Sequence, residues 1–229
     1  MSPGRRDMEQ RPRGSDFRRS AVALIARAVS LALLTSVEDA HAFTVAITPA
    51  APKTIFLQIG VGSFTGFYDA GGTPQNNATI NKETVAVAAA AMGNGTAQAM
   101  TTDSTQTHSF YDNFVFCSVP TQLYIGGFYR TTGAGAGTAN VTATVPVSLS
   151  DGAGDTIPFS QISWTSSGNS DGNNPQPFPA GSFTGTSVVV GSIGQNQWAE
   201  SCWTFAYANT VRPAAGTYTG RVIYTLTVP

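Results

Sequence analysis

Residues 216–228 read GTYTGRVIYTLTV; Tyr218, Val222, Tyr224, Leu226 and Val228 fall on one parity, and Thr217, Thr219, Arg221, Thr225 and Thr227 on the other. An extended chain sends successive side chains to opposite faces, so this period of two predicts a strand with one apolar and one solvated face. The pattern recurs upstream. Ile55, Leu57, Ile59 and Val61 alternate with Thr54, Phe56, Gln58 and Gly60, and Val141, Ala143, Val145, Val147 and Leu149 alternate with Thr142, Thr144, Pro146 and Ser148. Further strand candidates lie near 110–117, 121–129, 157–164, 182–190 and 202–207, separated by Gly, Pro, Asn and Asp clusters such as MGNGT, SDGAGD and SSGNSDGNNPQPFPAG. Such a series predicts an all-β, two-sheet antiparallel β-sandwich. The Ala-rich VAVAAAAM from Val85 has a helical composition, but Asn94-Gly95 and the flanking strands favour a strand followed by a turn.

The 229-residue chain is 41% hydrophobic and 11% charged. The apolar content is ample for a core, and the charge is too low for a chain kept unfolded by repulsion. A net charge of −1 leaves no basic face for a phosphate backbone, which excludes nucleic acid as an expected partner.

Arg5, Arg6, Arg11, Arg13, Arg18 and Arg19 precede the apolar stretch AVALIARAVSLALL, and Ala40-His41-Ala42 supplies small residues two apart. This predicts a secretory signal peptide over 1–42, cleaved before Phe43, followed by one β-sandwich domain over 43–229. The apolar stretch is interrupted by Arg27 and is shorter than the roughly 20 residues of a membrane span, so no stable span is expected in the mature chain. Removing the leader leaves five basic residues against eight acidic ones, a charge of −3.

Cys117 and Cys202 are the only cysteines, and an even pair in an exported chain predicts a disulfide. Closing an 85-residue separation is worth about 4 kcal/mol in the chain-entropy model. No CxxC or HxxxH spacing exists and His108 is the only histidine after the leader, so no metal and no cofactor is expected. Phe110, Phe114 and Phe116 lie on the parity opposite Cys117, and Trp203, Phe205 and Tyr207 on the parity opposite Cys202. With these rings in the core, the sulfurs sit on an outer face or rim and join neighbouring strands of one sheet. With the sulfurs between the sheets, Trp203, Phe205 and Tyr207 form an exposed binding stripe.

Catalytic patterns are weak. His108 has Asp103 and Asp112 within five residues, but a triad is identified by geometry, and a loop histidine explains the same spacing. Ser170 in SGNSDG reads as a turn, and GVGSFTG lacks the following helix that a dinucleotide site requires. Asp151 and Asp155 in one loop, and Asp171, Asn173 and Asn174 in another, supply at most part of a calcium shell; solvated turns explain them equally. Trp164, Trp198, Trp203, Tyr124 and Tyr129 offer stacking surfaces for glycans, which makes a secreted carbohydrate-binding β-sandwich module the second function class.

The ending PAAGTYTGRVIYTLTVP, with Ala215, Gly216 and Tyr218 followed by the alternating Val222, Tyr224, Leu226 and Val228, resembles bacterial pilin-type surface subunits of the spore coat protein U and archaic chaperone/usher family. It departs from that pattern in lacking a cysteine near the mature N-terminus and in ending on Pro229. The resemblance implies an immunoglobulin-like incomplete sandwich that polymerises through donated strands, hence an exported, non-enzymatic cell-surface or adhesion subunit reached through the periplasm, whose partners are copies of itself or other surface subunits. The mature N-terminus FTVAITPAAPK suits donation: Phe43, Val45 and Ile47 share one side before Pro49 and Pro52 stop the strand. The same segment also suits the first edge strand of its own sandwich.

Overall fold

The computed structural model describes residues 44–67, 71–75, 80–133, 137–168 and 175–228. The leader assigned to 1–42, Phe43, Ser170 and the Asp171 loop lie outside them. In chain order the strands are β1 (Thr44–Ala46), β2 (Thr54–Ile59), β3 (Gly62–Phe67), β4 (Gly71–Gln75), β5 (Glu83–Thr84), β6 (Gln98–Ala99), β7 (Thr101–Thr102) and β8 (Leu123–Arg130). They continue as β9 (Ala139–Thr144), β10 (Ser148–Ser150), β11 (Thr156–Pro158), β12 (Ile162–Ser167), β13 (Gly181–Ser182), β14 (Ser187–Ile193), β15 (Gln197–Tyr207) and β16 (Ile223–Thr227). The only helical pieces among the described residues are two single 3₁₀ turns, Ala89–Ala91 and Phe159–Gln161.

A nine-stranded antiparallel sheet runs β13-β12-β15-β8-β2-β3-β4, with β1 and β6 added to β15. A three-stranded sheet, β14-β9-β16, lies over its inner face, and two ribbons, β10-β11 and β5-β7, complete the set. The chain is therefore an all-β sandwich built on antiparallel sheets. Its core forms where the alternating residues of both layers meet: Ile55, Leu57, Ile125 and Trp203 from the large sheet, Val141 and Ala143 from the small one. Trp203 and Tyr224 contact across the layers, with ring centroids 6.0 Å apart.

Local chemistry fixes the register. Gly60 has φ +57° and, with Val61, forms the two-residue loop between Ile59 and Gly62, the conformation that a tight hairpin with glycine first demands. A bulge between Val189 and Gly191 shifts β14 against β9. A Cβ on Gly191 would lie 2.3 Å from the ring of the fully buried Phe178, so only glycine lets this strand approach it.

Several expectations change. Residues 110–117 are not a strand; they form a tight loop in which Ser109 N donates to Phe114 O at 2.7 Å and Asn113 adopts φ +62°. The polar Asp112-Asn113 pair supplies this turn, and its cost to the parity reading is large: Phe110 and Phe114 are 57% and 56% exposed, while Phe116 is buried. The segment from Val85 is mostly irregular around the Ala89–Ala91 turn. β2 is not half-solvated, because Phe56 and Gln58 on its outer side are buried as well.

Candidate functional site

Two features stand out, one on each face of the large sheet. On the inner face the small sheet covers only part of the large one. β16 pairs with β9 alone among the described residues, so its other edge is unpaired. Beside that edge lies an open cleft of about 1290 Å³. Its floor includes Ile55, Leu57 and Phe205, one wall is β16 with Tyr224 and Leu226, and the facing segment carries Glu83. Tyr224 and Leu226 are only half-buried, as expected for side chains facing an unfilled space.

Glu83 is the ionisable group of this cleft whose environment matters. It pairs in register with Thr102, and its Oε1 is buried without a hydrogen-bond partner. Burial pushes its pKa up to about 7; a side-chain hydrogen bond from Thr102 opposes the shift and the Asp103 charge adds to it. Burial likewise raises the Tyr224 hydroxyl, with Glu83 contributing.

On the outer face, the loop 104–118 folds back over β2, β8 and β15. Phe56, Phe116, Tyr124, Trp198, Cys117 and Cys202 form a second buried cluster there. The disulfide pins the loop: Cys117 and Cys202 are bonded, with Cα atoms 5.6 Å apart. The sulfurs are on the outer face, as the core-aromatic reading has it. The bridge differs from that reading in joining β15 to the overlying loop rather than two neighbouring strands. The reason is the turn at Asp112-Asn113, which keeps the segment out of the sheet.

Under this loop Glu200 has no solvent exposure. The Tyr124 hydroxyl donates to its Oε2 at 2.5 Å, and the Phe110 backbone N–H donates to the Tyr124 oxygen at 3.3 Å. Burial raises the Glu200 pKa, against the opposing effect of the Tyr124 hydrogen bond, and its other oxygen, Oε1, is buried without a partner. Above it the Phe110 ring stacks on Phe56 (4.8 Å, 21°) and Trp198 (6.1 Å, 21°), and Tyr111 stacks on Trp198 (5.9 Å, 28°). Tyr111 is 46% exposed.

The exposed-stripe alternative for Trp203, Phe205 and Tyr207 is overturned: all three are at most 5% exposed and belong to the main core. Trp164, Trp198, Tyr124 and Tyr129 are buried too, so none of the expected glycan-stacking residues presents an open ring face. Val45 and Ile47 pack half-buried against the outer cluster, with Val45 opposite Trp198 in β15. The segment thus forms an edge strand of its own sheet here, the second of its two sequence readings. Ile47 N donates to Asn196 O at 2.9 Å, and the linker to β2 is largely exposed.

His108, Asp103 and Asp112 are each engaged locally. His108 Nδ1 pairs with Thr107 Oγ1 at 2.7 Å, Asp103 accepts from Lys82 N and Asn81 Nδ2, and Asp112 accepts from Phe114 N. Those contacts hold the Asp103 carboxyl below the usual aspartate range. Asp151 Oδ1 accepts the N–H groups of Ala153, Gly154 and Asp155, which explains its loop by turn chemistry. Among the described residues no group of three or more His, Cys, Asp or Glu is placed to hold a metal ion, and no helix is long and apolar enough to cross a membrane.

Asn209 escaped the sequence reading. It is fully buried at φ +55°; its Nδ2 donates to Ala91 O and Asn94 Oδ1, and its Oδ1 accepts from Gly93 N. It organises the MGNGT loop from 116 residues away, with no local signal beyond an Asn just after a strand. No family model, no curated protein and no solved structure matches this chain.

Proposed function

We propose that the chain is an exported, non-enzymatic surface subunit of immunoglobulin-like type that assembles by strand addition, the N-terminal segment of one copy entering the cleft of the next. The observation that carries this reading is the apolar cleft lying along the unpaired edge of β16. An unpaired edge offers backbone donors and acceptors, and an adjoining apolar groove offers pockets for alternate side chains, the two requirements of strand addition. The five residues of β16 span roughly 17 Å, the length of a short strand such as the segment containing Val45 and Ile47. β1 is held in its own sheet by three register pairs at an edge, so its release costs little compared with unfolding the sandwich.

The test is electrophoresis of the exported protein without boiling. A ladder that collapses on boiling, and that is lost when residues 43–48 are deleted and restored when a neighbouring copy supplies them, is the expected result. Wild-type protein that is monomeric at every concentration overturns the reading.

A further inference from the structure

The outer-face loop spends a disulfide and a dense set of hydrogen bonds on holding apolar side chains in water. Tyr111 N donates to Ser109 Oγ, Phe114 N to Asp112 Oδ1, Ser109 N to Phe114 O and Phe110 N to the Tyr124 hydroxyl. On that frame Phe110, Tyr111 and Phe114 stand 57%, 46% and 56% exposed. A loop this constrained could have turned its rings inward, as Phe116 is turned. Instead Phe110 and Tyr111 lie nearly parallel to Phe56 and Trp198, so one face of each ring is stacked against the sheet and the opposite face is left to solvent.

We infer that this loop is a binding platform for a neutral, all-equatorial glycan chain, with Phe110 and Tyr111 as its stacking surface and Phe114 at its margin. A pyranose with equatorial hydroxyls has two apolar C–H faces and a polar rim. It therefore matches flat aromatic rings interleaved with hydrogen-bonding groups, here the exposed Asp112 and Asn113. Three half-exposed aromatic rings amount to on the order of 300 Å² of apolar surface. That is well below the roughly 800 Å² that each partner contributes to a stable protein interface, and it suits one or two sugar rings. Residues 101–120 contain no Lys or Arg and carry Asp103 and Asp112, which disfavours an anionic membrane surface. The platform is on the face opposite the cleft, so a strand seated in the cleft does not cover it.

The experiment is calorimetric titration of the disulfide-intact mature chain with cellohexaose and with chitohexaose, in parallel with co-sedimentation on phosphatidylcholine vesicles. Saturable binding to at least one hexasaccharide is expected, weakened tenfold or more by Phe110→Ala and by Tyr111→Ala and unchanged by Val189→Ala, an exposed apolar residue of β14. The exposed positions of both rings keep the variants folded, which far-ultraviolet circular dichroism checks. Absence of binding to both sugars overturns the inference, as does binding that survives the Phe110→Ala/Tyr111→Ala double variant, or co-sedimentation with vesicles in place of sugar binding.

Discussion

Tyr124 and Glu200 are joined by a 2.5 Å hydrogen bond beneath a loop that excludes water from both side chains. The same phenolic oxygen accepts the Phe110 backbone N–H, so one hydroxyl links a buried carboxyl to the exposed loop. Tyr124→Phe leaves both groups without their partner, and an orphaned buried polar group costs about 1–3 kcal/mol. We expect a loss of roughly 2–4 kcal/mol in urea unfolding, with faster amide exchange at residues 109–111. Glu200→Gln keeps an acceptor for the hydroxyl and removes the ionisable proton, so its loss at neutral pH is expected to be smaller. An equal loss in the two variants counts against this account of the pair.

Glu83 predicts an unusual pH dependence. Its pKa is raised from 4.5 to about 7 because the cleft disfavours the charged carboxylate. The native state therefore keeps this proton to a higher pH than the unfolded chain does. The stabilisation is complete below about pH 4.5 and is lost as pH rises through about 7. Discounted for the partial exposure of the group, the change is on the order of 1–2 kcal/mol. Glu200 titrates in the same direction, so Glu83→Gln is expected to reduce the slope and not abolish it. Unfolding free energies at half-unit pH steps between 4 and 8 provide the check.

These two groups also show where the sequence was legible and where it was not. Alternation located β9, β16 and the second half of β15, and the core alternative it offered for Trp203, Phe205 and Tyr207 is the one the fold adopts, because a strand with one buried face writes that face at every second residue. It failed where both faces are covered. β2 (TIFLQI) and β8 (LYIGGFYR) carry apolar residues on both parities, and this was the available signal that a further layer covers the outer face. The exposed Phe110 and Phe114 were misplaced for the opposite reason: hydrophobicity reports what burial would gain, and a disulfide-held loop overrides it. The cleft depends on which strand ends at an unpaired edge, which is a matter of topology and leaves no mark on composition.

Asn209 tests a tertiary device invisible to periodicity. Asn209→Ala removes the acceptor for Gly93 N and the donor to Ala91 O, and places a residue that disfavours left-handed backbone at φ +55°. A loss of about 2–4 kcal/mol is expected, with exchange protection falling at residues 91–96. Asn209→Asp keeps the acceptor for Gly93 N but sets a buried carboxylate oxygen against Ala91 O and Asn94 Oδ1, so at neutral pH it should lose at least as much as Asn209→Ala. Thermal unfolding of the three proteins in one buffer suffices.

The Cys117–Cys202 bridge predicts no alkylatable thiol in protein folded under oxidising conditions and a loss approaching 4 kcal/mol on reduction, according to the chain-entropy model. The lesion should be local. Amide exchange ought to rise over residues 104–118, while β12, β15 and β8, which pair without help from the bridge, stay protected. Two labelled cysteines by intact mass, or collapse of the whole sheet on mild reduction, would contradict this arrangement.

The N-terminal strand is the element whose removal separates the assembly reading from a purely structural role. In its own sheet Val45 faces Trp198 and Ile47 packs on the same cluster, yet among the described residues the ladder holds three register pairs, Thr44 to Ala46, and one further backbone hydrogen bond from Ile47 N to Asn196 O. Two half-buried aliphatic side chains are worth roughly 1–3 kcal/mol together, well within the stability of a domain of this size. Deleting residues 43–48 is therefore expected to leave a folded chain with a slightly lower Tm and a Trp198 more accessible to acrylamide quenching. In the same protein the heat-sensitive ladder should vanish while the cleft beside β16 still accepts strands. A synthetic FTVAIT peptide should then bind the deleted chain and broaden amide signals of Ile223 to Thr227 more than those of Gln197 to Ala199. Broadening confined to Gln197 to Ala199 would place the peptide back at the vacated edge of β15 and remove the cleft from the assembly mechanism.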